Sequence, residues 1–311
     1  MLEVIDLSGL RDKDPAAIER VAKNIGRACR DIGFFYVRNH GISQDLMDKV
    51  FAASKSFFAQ PEPAKSELLI SKSKHNRGYV GMSAERLDPK HADLKEAFNV
   101  GLDLDPEDPE VLANKPFRGV NMWPAAMPQF RATLLDYFNA TWRLGMDIQM
   151  AFATDLGLAQ GYFADKFDRP MATLRLLHYP ERPAQVTAGT FGAGAHTDYG
   201  SLTLLLTDDA GGLEVRRRDG TWVSAPPIPG AFVCNIGDCL MRWSNDIYLS
   251  TPHRVTNPAG RDRYSVAFFL DPNPDVLVEC LPGCSTDKMP AKYPPINAAD
   301  YLQSRFAATY A

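Results

Sequence analysis

The chain has 311 residues, 34 Lys+Arg against 38 Asp+Glu, and a formal net charge of −4. That length builds a core without disulfide or structural-metal staples, and 45% apolar with 23% charged content excludes wholesale disorder. The slight acidity excludes a general nucleic-acid or anionic-membrane binder, and no apolar run approaches the roughly 20 residues a bilayer requires.

The opening MLEVIDLSGLRDKD lacks the charged-then-apolar pattern of a secretion signal. Cysteines at 29, 234, 239, 280 and 284 are odd in number, show no zinc-finger spacing and suit a reducing cytoplasm. Cytoplasmic localisation is therefore expected. The oligomeric state leaves no trace in the sequence.

In chain order, Val4 to Leu7 is expected as a short strand. A helix follows, with Ile18, Val21, Ala22, Ile25, Ala28 and Cys29 on one face. Gly33 ends it, and Phe34-Phe35-Tyr36-Val37 is a β-branched and aromatic run that predicts a strand. A second helix covers about Ser43 to Phe58, before Pro61 and Pro63 break the chain. A long helix has Pro128 in its first turn, carries Phe130, Leu134, Phe138, Gly145, Ile148 and Phe152, and stops at Gly157. From about Ala172 the period becomes two. Strands are expected at 173–179, 202–206, 213–217, 221–225, 231–235, 263–270 and 275–279, separated by turn residues such as Asp219-Gly220, Pro229-Gly230 and Pro258-Ala259-Gly260. The first half is thus mainly helical and the second mainly strands, a helical part packed on a sandwich, jelly roll or barrel.

Three weaker signals are set aside. Gly192-Ala193-Gly194 lacks the third glycine of a dinucleotide fingerprint and is expected as a turn. Asp103 to Glu110 lacks the glycine and final glutamate of a calcium loop and is expected as a solvated loop. Arg216-Arg217-Arg218 is a hairpin tip, too few charges for a nucleic-acid surface.

The chemistry concentrates around two of the six histidines. His196 and Asp198 form a His-x-Asp pair just before the run Leu202 to Leu206, and residues i and i+2 at a strand end point to one side. His253 lies at the start of another short β-like run. Two imidazoles and one carboxylate on one face of an ion leave three positions open, the set that suits non-haem iron(II) with its co-substrate and dioxygen. His-x-Asp alone arises readily by chance; the distant histidine in a β-rich half strengthens it. Alternation then places Arg263 and Ser265 on one strand face, with Tyr264 on the other. A guanidinium fork beside a hydroxyl suits a bidentate carboxylate, and the apolar neighbours Val266, Phe268 and Phe269 make an unpaired charge costly there.

At this point the sequence resembles the isopenicillin N synthase-like family of iron(II)/2-oxoglutarate-dependent oxygenases. The resemblance rests on DIGFFYVRNHGI at 31–42, NRGYVGMSAE at 76–85, DLKEAFNVG at 93–101 and LRLLHYP at 174–180. HTDYGSLTLLLTDDAGGLEV, NIGDCLMRWSND, HRV at 253–255 and RYS at 263–265 follow in family order. It implies a mixed α and β fold, a double-stranded β-helix (jelly-roll) core with a helical N-terminal region packed on it. The implied division is an N-terminal oxygenase region at 1–115, a helical spine at 116–170, the jelly-roll core at 171–275 and a tail at 276–311, in one compact unit. It further implies iron held by His196, Asp198 and His253, with Arg263, Ser265 and Tyr179 binding the distal carboxylate of 2-oxoglutarate. Leu177 departs from the asparagine of many plant-type members, which removes one polar contact to the co-substrate. Arg175 shares a strand face with Leu177 and Tyr179, and Arg77, Tyr79 and Phe98 are the further candidates for contact with a small-molecule substrate.

The implied reaction consumes 2-oxoglutarate and dioxygen and releases succinate and carbon dioxide as the substrate is hydroxylated, desaturated or cyclised. Three other readings stay open at this stage. One is a same-fold oxidase that dispenses with 2-oxoglutarate, as isopenicillin N synthase does. Another forms ethylene and succinate, with headspace ethylene its distinguishing product. The last is a metal-dependent binding protein without turnover, against which the intact His196, Asp198, His253 and Arg263 argue.

Overall fold

The N-terminal part contributes four strands, β1 (Glu3–Asp6), β2 (Phe34–Arg38), β3 (Gly78–Val80) and β4 (Glu96–Gly101). The remainder supplies β5 (Thr173–Tyr179), β6 (Ala193–His196), β7 (Leu202–Thr207), β8 (Leu213–Arg216), β9 (Trp222–Ser224), β10 (Phe232–Ile236), β11 (His253–Val255), β12 (Arg263–Leu270), β13 (Leu277–Val278) and β14 (Ile296–Asn297). The computed structural model describes residues 2–11, 14–85, 93–181, 191–257 and 260–310. Eight strands form the larger sheet in the order β1-β2-β10-β7-β12-β5-β4-β3, and β6-β11-β8-β9 form the smaller one. The strands pair antiparallel except β1 with β2. These facing sheets are the jelly-roll core.

Alternation sorts the strand residues into two apolar layers. Along β12, Val266, Phe268 and Leu270 face the helices, while Ala267 faces the space between the sheets. Along β5, Leu174 and Leu176 go to the helical side, and Leu177 and Tyr179 go inward. Each buried apolar side chain of this kind contributes about 1.5–3 kcal/mol. The inner layer is the one that has room for a site.

The helices cover the outer face of the larger sheet. The helix Pro15–Asp31 is capped by Asp14, whose carboxylate accepts from the Ala16 N–H at 3.1 Å, and the chain leaves it through Gly33 at φ +68°. Ser43 caps Gln44–Phe58 in the same way, accepting from Leu46 N–H at 3.2 Å. The 28-residue helix Pro128–Asp155 lies on β12, and Gly145 is where they touch. A Cβ there would meet Leu270 Cδ2 at 2.6 Å. No helix among the described residues is long and apolar enough to cross a membrane.

The first half is mainly helical, as expected, but its four strands are hydrogen-bonded into the larger sheet, and β3 and β4 gave no sequence signal. Every residue of β4 is buried, so EAFNVG carries no apolar–polar alternation to read. Ala193 and Gly194 belong to strand β6, not to a turn before it. The acidic stretch is partnered as well as solvated: Arg169 pairs with Asp108 and Glu110, both at 2.9 Å, and Arg131 pairs with Asp103 at 2.8 Å. The expected turn at Pro258-Ala259 lies outside the described residues.

Candidate active site

His196 closes β6 and His253 opens β11, and the register of these neighbours sets the two residues opposite one another. Their rings lie 4.3 Å apart between centroids. Asp198, two residues beyond β6, completes a cluster whose three ligand atoms lie within 4.8 Å of one another. His253 Nε2 is 3.6 Å and His196 Nε2 3.8 Å from Asp198 Oδ1.

The hydrogen bonds around the cluster leave one lone pair per residue aimed inward. His196 Nδ1 donates to Gly194 O at 2.7 Å, and His253 Nδ1 donates to Thr251 O at 3.2 Å, which leaves both Nε2 atoms as acceptors. Asp198 Oδ2 accepts from Thr203 Oγ1 at 2.6 Å and Asn235 Nδ2 at 2.7 Å, freeing Oδ1. Burial and then the adjacent His253 push the His196 pKa well below its ordinary value. Burial alone would raise Asp198, but the two histidines and the Asn235 and Thr203 bonds outweigh it and hold the carboxyl below its ordinary value. Two imidazole nitrogens and one carboxylate, each fixed from behind, fit a divalent iron ion.

Arg263 and Ser265 enter the same cavity from β12, and Tyr179 faces Arg263 across the β12–β5 pairing. Arg263 is 1% exposed. Its Nε donates to Gly211 O at 2.7 Å, its Nη1 to Ser265 Oγ at 3.2 Å, and its guanidinium lies 4.7 Å from the Tyr179 ring centroid. Among the described residues no carboxylate pairs with it. A buried cation without a counter-charge is costly and calls for an anion from outside the chain. The cavity holds about 180 Å³, and Arg175, Leu177, Phe34, Asn99 and Lys95 also line it.

Arg77, Tyr79 and Phe98 do not line that cavity. Arg77, 1% exposed, donates to the carbonyls of His75, Asn76 and Phe117. Tyr79 donates to Glu96 Oε2 at 2.6 Å, and Phe98 packs on Phe57 at 4.6 Å. The reason is parity. Phe98 pairs with Leu176, which faces the helices, whereas the next residue, Asn99, pairs with the inward-facing Arg175. Sequence reasoning missed Thr203 and Asn235 too, although a polar residue inside the apolar run LTLLL and inside FVCNI was the available signal.

Asp271 is a further unanticipated wall residue. It lies just past β12 and accepts from the Ser201 N–H at 3.1 Å. A Cβ on Gly200 would collide with its Oδ1, so glycine at 200 leaves the room this carboxyl occupies. Burial, reinforced by Asp198, raises its pKa to about 7. The folded value exceeds the unfolded 3.8, so its contribution to stability is full in acid and is lost as pH rises toward 7. Asp271→Asn is therefore expected to raise the unfolding midpoint of the metal-free protein above pH 7 and to narrow the gap to wild type toward pH 4. Parallel midpoint curves for the two proteins would disprove it.

Comparison with known proteins agrees with this geometry. The profile of the 2OG-Fe(II) oxygenase superfamily matches residues 170–272, and that of the non-haem dioxygenase in morphine synthesis N-terminal region matches residues 2–126. The 2-oxoglutarate-Fe(II) type oxidoreductase hxnY of Emericella nidulans is 35% identical over 99% of this chain and 90% of its own. Homoarginine-6-hydroxylase of Oryza sativa is 38% identical over 91% of this chain and 89% of its own. A crystal structure of a full-length Neurospora crassa protein in complex with alpha-KG (2-oxoglutarate) and thymine superposes with a TM-score of 0.89 at 34% identity, covering 99% of this chain and 97% of that one. The chain belongs to the isopenicillin N synthase-like 2-oxoglutarate–iron(II) oxygenases and is a non-haem iron dioxygenase with a His-Asp-His iron site.

Proposed function

We propose that His196, Asp198 and His253 are the iron ligands, and that Arg263 and Ser265, with Tyr179 alongside, bind the distal carboxylate of 2-oxoglutarate. We propose also that the enzyme oxidises a compact, uncharged organic molecule held near Arg175. The single observation that carries the reading is one cavity in which three inward-aimed ligand atoms and an uncompensated buried arginine meet. Bound iron supplies the redox chemistry that couples dioxygen and 2-oxoglutarate to oxidation of the substrate, with succinate and carbon dioxide as co-products. The chain's own groups bind and orient. Thr203 and Asn235 hold the Asp198 carboxylate, the Gly194 and Thr251 carbonyls hold the two imidazoles, and Arg263 sets the co-substrate's far end. Leu205, Leu213 and Val255 give the cavity apolar walls that exclude water.

The uncharged substrate is inferred from how the remaining basic wall groups are already matched, with Asp271 pushed toward its neutral form by burial. Arg175 pairs with Glu85 at 2.6 Å, and Lys95 pairs with Asp93 at 2.5 Å and Glu85 at 3.3 Å. A charged substrate would have to break one of these pairs or ionise the buried Asp271. Phe117, Tyr199, Leu302 and Phe306 complete the wall with apolar and aromatic surface. The Neurospora crassa structures, which hold thymine and 5-formyluracil, support a small polar ring as the scale of such a substrate.

The test is an anaerobic titration of metal-free protein with iron(II), then 2-oxoglutarate, watching for a visible metal-to-ligand charge-transfer band. A band that needs both additions is expected. Iron binding without a band would replace this reading with the oxidase that dispenses with 2-oxoglutarate, and no iron binding would leave the binding protein. Succinate release should then rise with uncharged ring compounds, and a stronger response to carboxylates or amines would overturn the substrate class.

A further inference from the structure

We propose that Asp93, held in place by Lys95, is a positioning residue for iron: it fixes the bulged backbone at Gly194 and thereby orients His196. The inference rests on the reading of His196 as an iron ligand. β6 is the edge strand of the smaller sheet, four residues long, and among the described residues it pairs only with β11. Its register is irregular: His196 pairs with His253, yet Ala193 pairs with Val255, so three steps on β6 oppose two on β11. The extra residue is a bulge, which detaches local backbone groups from the ladder immediately before the ligand.

Asp93 meets that bulge. Its Oδ1 accepts the Gly194 N–H at 3.0 Å in a buried bond, from a position 101 residues earlier in the chain. The same glycine's carbonyl accepts from His196 Nδ1 at 2.7 Å. A shift of Gly194 therefore moves the group that sets the imidazole's tautomer and tilt. Asp93 is in turn locked, because its Oδ2 takes the Lys95 ammonium at 2.5 Å, with Asp93 only 2% and Lys95 5% exposed. The segment between them is sewn to the same region: Leu94 N–H donates to Phe191 O at 3.1 Å, and Asn257 Nδ2 donates to Leu94 O at 3.1 Å.

Stability is a poor reason for such a pair. Desolvating two charges commonly costs as much as their attraction returns, and apolar replacements are often neutral or better. Groups that orient a metal-bound histidine from behind, in contrast, typically control about 10- to 100-fold in metal affinity. The pair also continues outward, from Lys95 through Glu85 to Arg175, so the wall facing the substrate and the strand carrying the iron ligand are one connected structure.

The experiment measures iron(II) affinity anaerobically, by competition with a chromophoric chelator and without 2-oxoglutarate, so no turnover is involved. Asp93→Asn is expected to weaken iron binding about tenfold or more, and Lys95→Met by a smaller factor, with far-UV circular dichroism unchanged. Arg118→Met is the control. It removes a buried cation bound to Glu110 and to the Arg169 and Pro170 carbonyls, outside the cavity, and should lower the unfolding midpoint while keeping iron affinity within about twofold. Affinities of both site variants within twofold of wild type overturn the proposal. If Asp93→Asn does not fold, Lys95→Met against Arg118→Met decides on the same scale. His196→Ala separates the two readings: iron binding that survives it removes His196 as a ligand, whereas iron lost in His196→Ala and retained in Asp93→Asn removes only the positioning role.

Discussion

Arg263→Ala should raise the 2-oxoglutarate concentration for half-maximal turnover by at least about 30-fold while iron(II) binding stays close to wild type. The guanidinium is buried and already oriented by the Gly211 carbonyl, the Ser265 hydroxyl and the Tyr179 ring. It arrives at the co-substrate preorganised, with its desolvation already met in folding. Truncating one partner of a buried, hydrogen-bonded charge pair costs about 2–5 kcal/mol, which is on the order of 30-fold to several thousand-fold in affinity. Arg263→Lys should fall between the two, since it keeps the charge and loses the planar fork. Steady-state kinetics over a wide range of 2-oxoglutarate reads the effect, and anaerobic chelator competition reads the iron. An unchanged requirement for 2-oxoglutarate in Arg263→Ala would place the carboxylate elsewhere.

The parts of this site that strand alternation governs are legible in the sequence. β5 and β12 run over the residues expected of them, and the parity that sets Arg263 with Ser265 and Arg175 with Tyr179 holds in the sheet. His-x-Asp was legible because a strand end turns i and i+2 to one side. Parity was also where the reading failed. Tyr79 and Phe98 are aromatic and adjacent to the site in sequence, but they occupy the face that packs on the helices, and one step along β4 separates Phe98 from the cavity-lining Asn99. A strand buried on both faces offers no pattern from which to choose. The Asp93–Gly194 bond was out of reach for a different reason. It joins residues 101 apart through a β-bulge, and no local periodicity encodes a bulge.

His196→Ala should abolish the charge-transfer band and lower turnover by at least about 10³-fold, since the metal contributes several kcal/mol of transition-state stabilisation and about 4 kcal/mol is three powers of ten. The fold should survive. His196 ends a short edge strand, and among the described residues its side chain makes one hydrogen bond, to a carbonyl two residues away. The large apolar layer against the helices lies on the far side of the larger sheet. Asp198→Ala should be equally inactive but for a second reason: it also leaves the Thr203 hydroxyl and the Asn235 amide buried without their acceptor, at about 1–3 kcal/mol each. The two variants therefore separate chemistry from stability. Equal loss of the band is expected in both, with a lower unfolding midpoint in Asp198→Ala than in His196→Ala when both are metal-free. Retention of the band by either variant would remove that residue from the ligand set. Equal midpoints would mean that water takes over the acceptor role of Asp198 in the space the carboxylate leaves.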